Sequence, residues 1–228
     1  TELAGELTTA IESASSLLAD HRIHIRCEVT QEDAVAAGIS DLQSHDVDLV
    51  SVMSHIPGKG QFGDVDAFRE FYESSDHHSV AEAEKLIEER SGISMATIRD
   101  RIDRVIDTAH ERGVVTASHD DEDPAEVTQL QEAGVDISEY PITLGTAKAA
   151  HDSGMTTVMG APNLVQGGSQ WGNLDSETAI SAGVLDVLCA DYHPQSMLAA
   201  PFVDTDEPLA ARVARVTKNP ADAVGLTD

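Results

Sequence analysis

Basic residues are scarce in this chain of 228 residues: 14 lysines and arginines stand against 41 aspartates and glutamates, a formal net charge of −27. A surface of that sign repels polyanions, which excludes nucleic acid and anionic membranes as partners. No apolar run approaches the roughly eighteen residues of a membrane span, and no charged region followed by an apolar stretch opens the chain. Both absences point to a cytoplasmic protein. Cysteine is nearly missing too. Cys27 and Cys189 are too few for a disulfide framework, and both fall in strand-like runs, where they read as small buried residues of a reducing compartment. The chain begins with Thr1 rather than methionine, as a piece of a longer translation product would.

What is present is globular, with 41% hydrophobic residues. The acids are scattered through helical segments rather than gathered in a tail. That dispersion fits a solvated surface adapted to high salt better than an acidic docking face. One unit recurs: an acidic amphipathic helix, a glycine, then a β-rich run that ends in polar residues. "DRVIDTAHERG" leads into "VVTASHDD", "AEVTQLQEAG" into "VDISEYP", "GTAKAAHDSG" into "MTTVMGAPN", and "SETAISAG" into "VLDVLCADYHP". Gly113, Gly134, Gly154 and Gly183 each stand where a helix end calls for a left-handed residue. "RIHIRCEV" and "VDLVSVMSH" are two earlier strands. Between the second of them and Gly113 lies an insert at about 57–112, with a glycine loop and helices near 65–73, 78–90 and 95–112. In "DEDPAEV", Asp123 is an N-cap, Pro124 the first helical residue, and Glu126 the far side of a capping box.

Alternating helices and continuous apolar strands predict an α/β fold with a parallel sheet covered on both faces. Glu28, His55, His119, Glu139, Asn163 and Asp191 each end a different strand. A closed (β/α)8 barrel gathers such residues on one rim, so a single barrel domain over 1–228 is expected. Glu28, His55, His119 and Asp191 combine imidazole with carboxylate, the natural ligand set for zinc, manganese or iron. Asp120, next to His119, is placed to orient an imidazole. His193 follows Asp191 on the rim and can touch substrate. His21, His24, His77, His78, His110 and His151 read as surface or helix-end residues. "GKGQFG" (58–63) formally matches a dinucleotide fingerprint but does not join a strand tightly to its helix, and is read as an active-site loop. The glycine-rich segment 160–173 is expected to turn backbone N–H groups, those of Gly167 and Gly168 among them, toward phosphate or ribose oxygens. Asn163, Ser169 and Asn173 would add side-chain donors.

In order along the chain, "HIRCE", "SVMSHIPGKGQF", "ASHDD", "SEYPIT", "MGAPNLVQGGSQWGN", "CADYHPQS" and "VTKNPADAVGL" resemble the phosphonate-catabolism branch of the amidohydrolase superfamily. That resemblance implies a TIM-like barrel of the metal-dependent hydrolase type holding two divalent metals. It makes Glu28 the bridging carboxylate, His55 and His119 ligands of the second metal, and Asp191 both a ligand and the proton acceptor. The implied reaction cleaves the triphosphate of a ribose 1-phosphonate 5-triphosphate and releases pyrophosphate. A phosphorylated small molecule is then the partner, and a homodimer is compatible with that role. Alternatives are C–N hydrolysis by an amidase or deaminase, and a catalytically silent scaffold.

Three departures qualify the resemblance. The paired ligands of the opening strand and the flanking β-sandwich have no counterpart, so the chain reads as the middle and end of a barrel. Two strand candidates, around Ile137–Tyr140 and Thr156–Met159, lie where the scheme has one. That leaves Glu28 on either the third or the fourth barrel strand. Gln166 stands in place of an arginine, and Gln170 and Trp171 in place of a histidine–serine pair. Lys59 or Arg26 could supply the missing positive charge.

Overall fold

Each β-branched run forms a strand, and each acidic amphipathic segment a helix, in the computed structural model. It describes residues 2–14, 16–60, 64–74, 79–169 and 172–226, divided between two compact units, 1–116 and 117–228. Residues 61–63 of the glycine loop, His77, His78, Gln170 and Trp171 lie outside the described residues.

The first unit contains α1 (Glu2–Ser13), β1 (His24–Glu28), α2 (Glu32–Ser44), β2 (Leu49–Met53), α3 (Val65–Ser74), α4 (Val80–Ser91) and α5 (Met95–Arg112). The three helices of the insert thus fall where the sequence predicts them. β1 and β2 run parallel, His24 level with Leu49 and Glu28 with Met53. In α5, Ile98, Ile102, Val105, Ile106 and Ala109 recur at helical spacing and are all buried. Burial of each large side chain is worth about 1.5–3 kcal/mol, so this face, rather than propensity, holds α5 in place. Ser94 caps its first turn, and Gly113 closes it at φ +69°, a conformation costly for any residue with a Cβ. α2 lies close on β1, because a Cβ at Gly38 would meet Cys27 Sγ at 3.2 Å.

From Ala117 on, the second unit holds the rest of β3 (Val115–His119), then α6 (Pro124–Glu132), β4 (Ile137–Glu139), α7 (Leu144–Asp152), β5 (Thr156–Gly160), α8 (Ala161–Gln166), α9 (Ser176–Ser181), β6 (Val187–Cys189), α10 (Ser196–Ala199), a 3-10 turn at Ala200–Phe202, α11 (Leu209–Ala214) and α12 (Lys218–Ala223). β3 to β6 are parallel and pair in chain order. Their interior residues are buried, which is why these runs are continuously apolar or small rather than alternating. Met159, Leu164, Ile180, Leu185 and Leu188 centre the core of this unit. The α/β class and the parallel strands agree with the expectation. Both strand candidates between His119 and Asp191 are real, since β4 and β5 each pair within the sheet. Pro124 opens α6, and Asp123 caps it by accepting the Ala125 N–H at 2.8 Å.

Candidate functional site

Glu28 is the last residue of β1, and His55 follows β2 by two residues. The parallel register puts these two strand ends at one level, and His55 Nδ1 lies 2.6 Å from Glu28 Oε2. The His55 N–H and the Thr30 hydroxyl donate to Glu28 Oε1, at 3.3 and 2.6 Å. Arg90, from α4, stands 3.6 Å from Oε2. Burial alone would raise the Glu28 pKa. The His55 hydrogen bond and charge, the Arg90 charge and the Thr30 hydroxyl outweigh it and hold the carboxyl below its ordinary value. Lys59, expected as a substrate contact, is exposed and reaches Met95 Sδ at 3.6 Å.

In the second unit, register again explains the contacts. His119 ends β3 level with Glu139, which ends β4, and His119 Nδ1 lies 3.1 Å from Glu139 Oε2. Asp120 Oδ1 is 3.7 Å from His119 Nε2, so the expected partner is adjacent, yet the closer orienting carboxylate is Glu139. The chain leaves β3, β4 and β6 through residues of positive φ that are not glycine: Asp120, Tyr140 and Asp191. Tyr140 crosses the end of β5, and its hydroxyl lies 2.9 Å from Cys189 Sγ at the end of β6. The ring passes because Gly160, between them, has no side chain. A Cβ there would meet Tyr140 Cε1 at 3.4 Å and Asp191 Oδ2 at 3.0 Å. Burial, the thiol and the nearby carboxylates push the Tyr140 phenol far up. Burial likewise raises Cys189 against the pull of the Tyr140 hydrogen bond, so this pair stays neutral and acts as a brace. Asp121 is buried, accepting Ser118 and Ser138 hydroxyls at 2.7 and 2.5 Å. Burial pushes its pKa up to about 6 despite both bonds.

The glycine-rich segment differs from expectation in three respects. Asn163 sits inside α8 rather than at a strand end. Its amide donates to the Leu174 carbonyl at 3.2 Å and accepts the Ser176 N–H at 2.8 Å, so it staples the segment instead of facing a ligand. The N–H groups of Gly167 and Gly168 donate back to the Leu164 and Asn163 carbonyls at 3.3 and 3.0 Å. Closing the end of α8 in this way satisfies its orphan carbonyls and turns both groups from phosphate. Ser169 Oγ accepts the Asn173 N–H at 3.2 Å. Gln166 donates to Tyr192 Oη at 2.7 Å, and His193 Nδ1 lies 2.8 Å from Ser196 Oγ.

The donors fit a divalent cation in type. Each imidazole presents Nδ1 to a carboxylate, Glu28 for His55 and Glu139 for His119, the arrangement that orients Nε2 for a metal. Among the described residues no three His, Cys, Asp or Glu side chains already form a ligating cluster. Glu139, Arg90, Tyr140 and Asp121 were not singled out from sequence as site residues. Glu139 was visible as a strand end in phase with His119. Arg90, in "LIEERS", looks like an ordinary surface residue, because the aromatics that bury it come from another helix.

No protein-family model matches the chain. It is 35% identical over 215 residues to the alpha-D-ribose 1-methylphosphonate 5-triphosphate diphosphatase of Escherichia coli (strain K12), covering 92% of this chain and 57% of that protein. The chain thus spans little more than half the length of that curated relative. A crystal structure of an uncharacterized protein is similar at a TM-score of 0.51 with 13% identity, over 86% of this chain and 48% of the other. That likeness concerns the fold alone.

Proposed function

We propose that this chain, a homologue of the Escherichia coli diphosphatase along nearly its whole length, belongs to a metal-dependent hydrolase that cleaves a ribose 1-phosphonate 5-triphosphate and releases pyrophosphate. The homology carries the substrate class. The observation that carries the chemistry is the pair of strand-end imidazoles, each held at Nδ1 by a carboxylate. Divalent metal, held by Glu28 and His55 in the first unit and by His119 and Asp191 in the second, would lower the pKa of water to around 7 and polarise a phosphoryl oxygen. It would also offset the charge of a triphosphate that an acidic protein otherwise repels.

The chain's own residues divide the remaining work. Glu139 orients His119, Asp120 sets a second carboxylate beside it, and Thr30 fixes the Glu28 carboxylate. Asp191, exposed at the end of β6 and set against Gly160, receives a proton from the attacking water. Lys59, Ser169, Asn173 and His193 remain the candidates for substrate contact.

The test uses the full-length protein supplied with zinc, manganese or iron. Pyrophosphate release from ribose 1-methylphosphonate 5-triphosphate is measured beside ammonia release from amides and nucleobases. Pyrophosphate release that collapses in His119→Ala and Asp191→Ala supports the reading. Ammonia release assigns the chain to C–N hydrolysis. Absence of tightly bound metal, with neither activity, leaves a silent scaffold.

A further inference from the structure

We infer that Arg90 is a positioning residue for the Glu28–His55 pair, and that the helical insert belongs to the site because it delivers this guanidinium. The inference deepens the proposed function and rests on it for the role of the pair, but its geometry stands alone.

Arg90 is 5% exposed, a burial that a guanidinium tolerates only when paired. One nitrogen, Nη1, donates to the His55 carbonyl at 3.2 Å and to Tyr72 Oη at 3.0 Å, and lies 3.6 Å from Glu28 Oε2. It therefore grips the backbone of one member of the pair and faces the carboxylate of the other. The guanidinium carbon lies 5.7 Å from the Phe68 ring centroid and 5.5 Å from that of Tyr72. Those rings are stacked 4.5 Å apart on α3 and form a platform for the cation. The side chain thus comes from α4, its platform from α3 and its acceptors from the ends of β1 and β2.

Packing alone does not account for this arrangement. Nε is buried with no hydrogen-bond partner among the described residues, and an unmet buried donor is destabilising. An apolar side chain against the same rings would avoid that penalty. What the arginine adds is direction. Its flat guanidinium lies against the rings while Nη1 holds the His55 main chain and sets a positive charge beside the Glu28 carboxylate, a combination that the ammonium of a lysine does not reproduce.

The test compares full-length wild type with Arg90→Met and Arg90→Lys. Thermal unfolding establishes that each variant folds. NMR of the His55 Nδ1 proton, assigned by its loss in His55→Asn, reads the pair directly. Arg90→Met is expected to shift this resonance or broaden it away, and to lower kcat about ten- to a hundredfold with KM within twofold, the range typical of groups that orient metal-binding side chains. Arg90→Lys is expected to restore stability more than it restores the resonance or kcat. If Arg90→Met does not fold, Tyr72→Phe removes one of the three contacts while keeping the ring, and should move the resonance in the same direction. A folded variant with an unchanged His55 signal overturns the inference. If wild type releases no pyrophosphate, the proposed function fails while the resonance still decides the role of Arg90.

Discussion

Replacing Gly160 by alanine should separate catalysis from stability. Gly160 has φ −74° and ψ 130°, a region open to any L-residue, so alanine brings no backbone strain. The added Cβ would lie 3.0 Å from Asp191 Oδ2 and 3.4 Å from both Asp191 Cβ and Tyr140 Cε1. The first distance falls short of ordinary contact by a few tenths of an ångström. The Asp191 carboxylate is the movable partner, because Tyr140 is tied to Cys189. A displacement of about 1 Å costs on the order of a hundredfold in rate, so this smaller one should lower kcat roughly tenfold. Stability should hardly change. Alanine restricts the unfolded chain, worth about 0.4–1 kcal/mol, and the crowded contact takes back a similar amount. Pyrophosphate release and guanidinium unfolding of full-length Gly160→Ala measure the two effects. A kcat within twofold of wild type would refute the claim that Asp191 must lie against a bare backbone. A loss above about 3 kcal/mol would show overpacking of the core instead.

Three further outcomes follow from single contacts. Asp121 holds its proton up to about pH 6 in the folded state against an ordinary value of 3.8. The unfolded chain therefore binds fewer protons across that window, and stability falls as pH rises through it, by about 3 kcal/mol in all. Asp121→Asn should abolish this part of the slope in denaturant titrations between pH 4 and 7.5, and an unaltered slope would show that Asp121 is not its source. Asp123→Ala removes the cap on the Ala125 N–H and should cost about 0.5–2 kcal/mol, read as a lower denaturation midpoint at unchanged m. Asn163→Ala leaves the Leu174 carbonyl and the Ser176 N–H unmatched and should cost about 1–3 kcal/mol with KM unaltered; a raised KM at full stability would restore it to substrate binding.

The elements that were legible in the sequence are those whose signals are local. Gly113, Gly134, Gly154 and Gly183 all take positive φ just past a helix, as their position after an amphipathic run requires. Glu28 and His119 end their strands as read, because a buried parallel strand changes composition where it emerges. The glycine segment misled for an equally physical reason. An exposed glycine N–H serves a phosphate or a helix carbonyl equally well, and in Gly167 and Gly168 the nearer acceptor is α8 itself. Arg90 was invisible for a different reason. Its burial depends on Phe68 and Tyr72 some twenty residues away, and no periodicity in "AEAEKLIEERS" reports on a neighbouring helix.

The strand exits carry one more consequence. Asp120, Tyr140 and Asp191 adopt φ of 58°, 55° and 50°, each costing on the order of 1 kcal/mol or more for a residue with a side chain. Aspartate tolerates this region because its carboxylate can bond locally, whereas a tyrosine there is unusual. The strain at Tyr140 is offset by what the turn achieves. Its N–H still pairs with the Val158 carbonyl at 2.8 Å, so the ladder continues while the ring swings sideways over Gly160 to Cys189. The same left-handed step after β3 keeps the Asp120 N–H on the Glu139 carbonyl at 2.9 Å and brings its carboxylate beside His119. Glycine would relieve each turn but would remove the side chain that the turn delivers. Strain of this kind is retained where a side chain must leave a strand at a fixed angle, and in the second unit it marks three of the four strand exits.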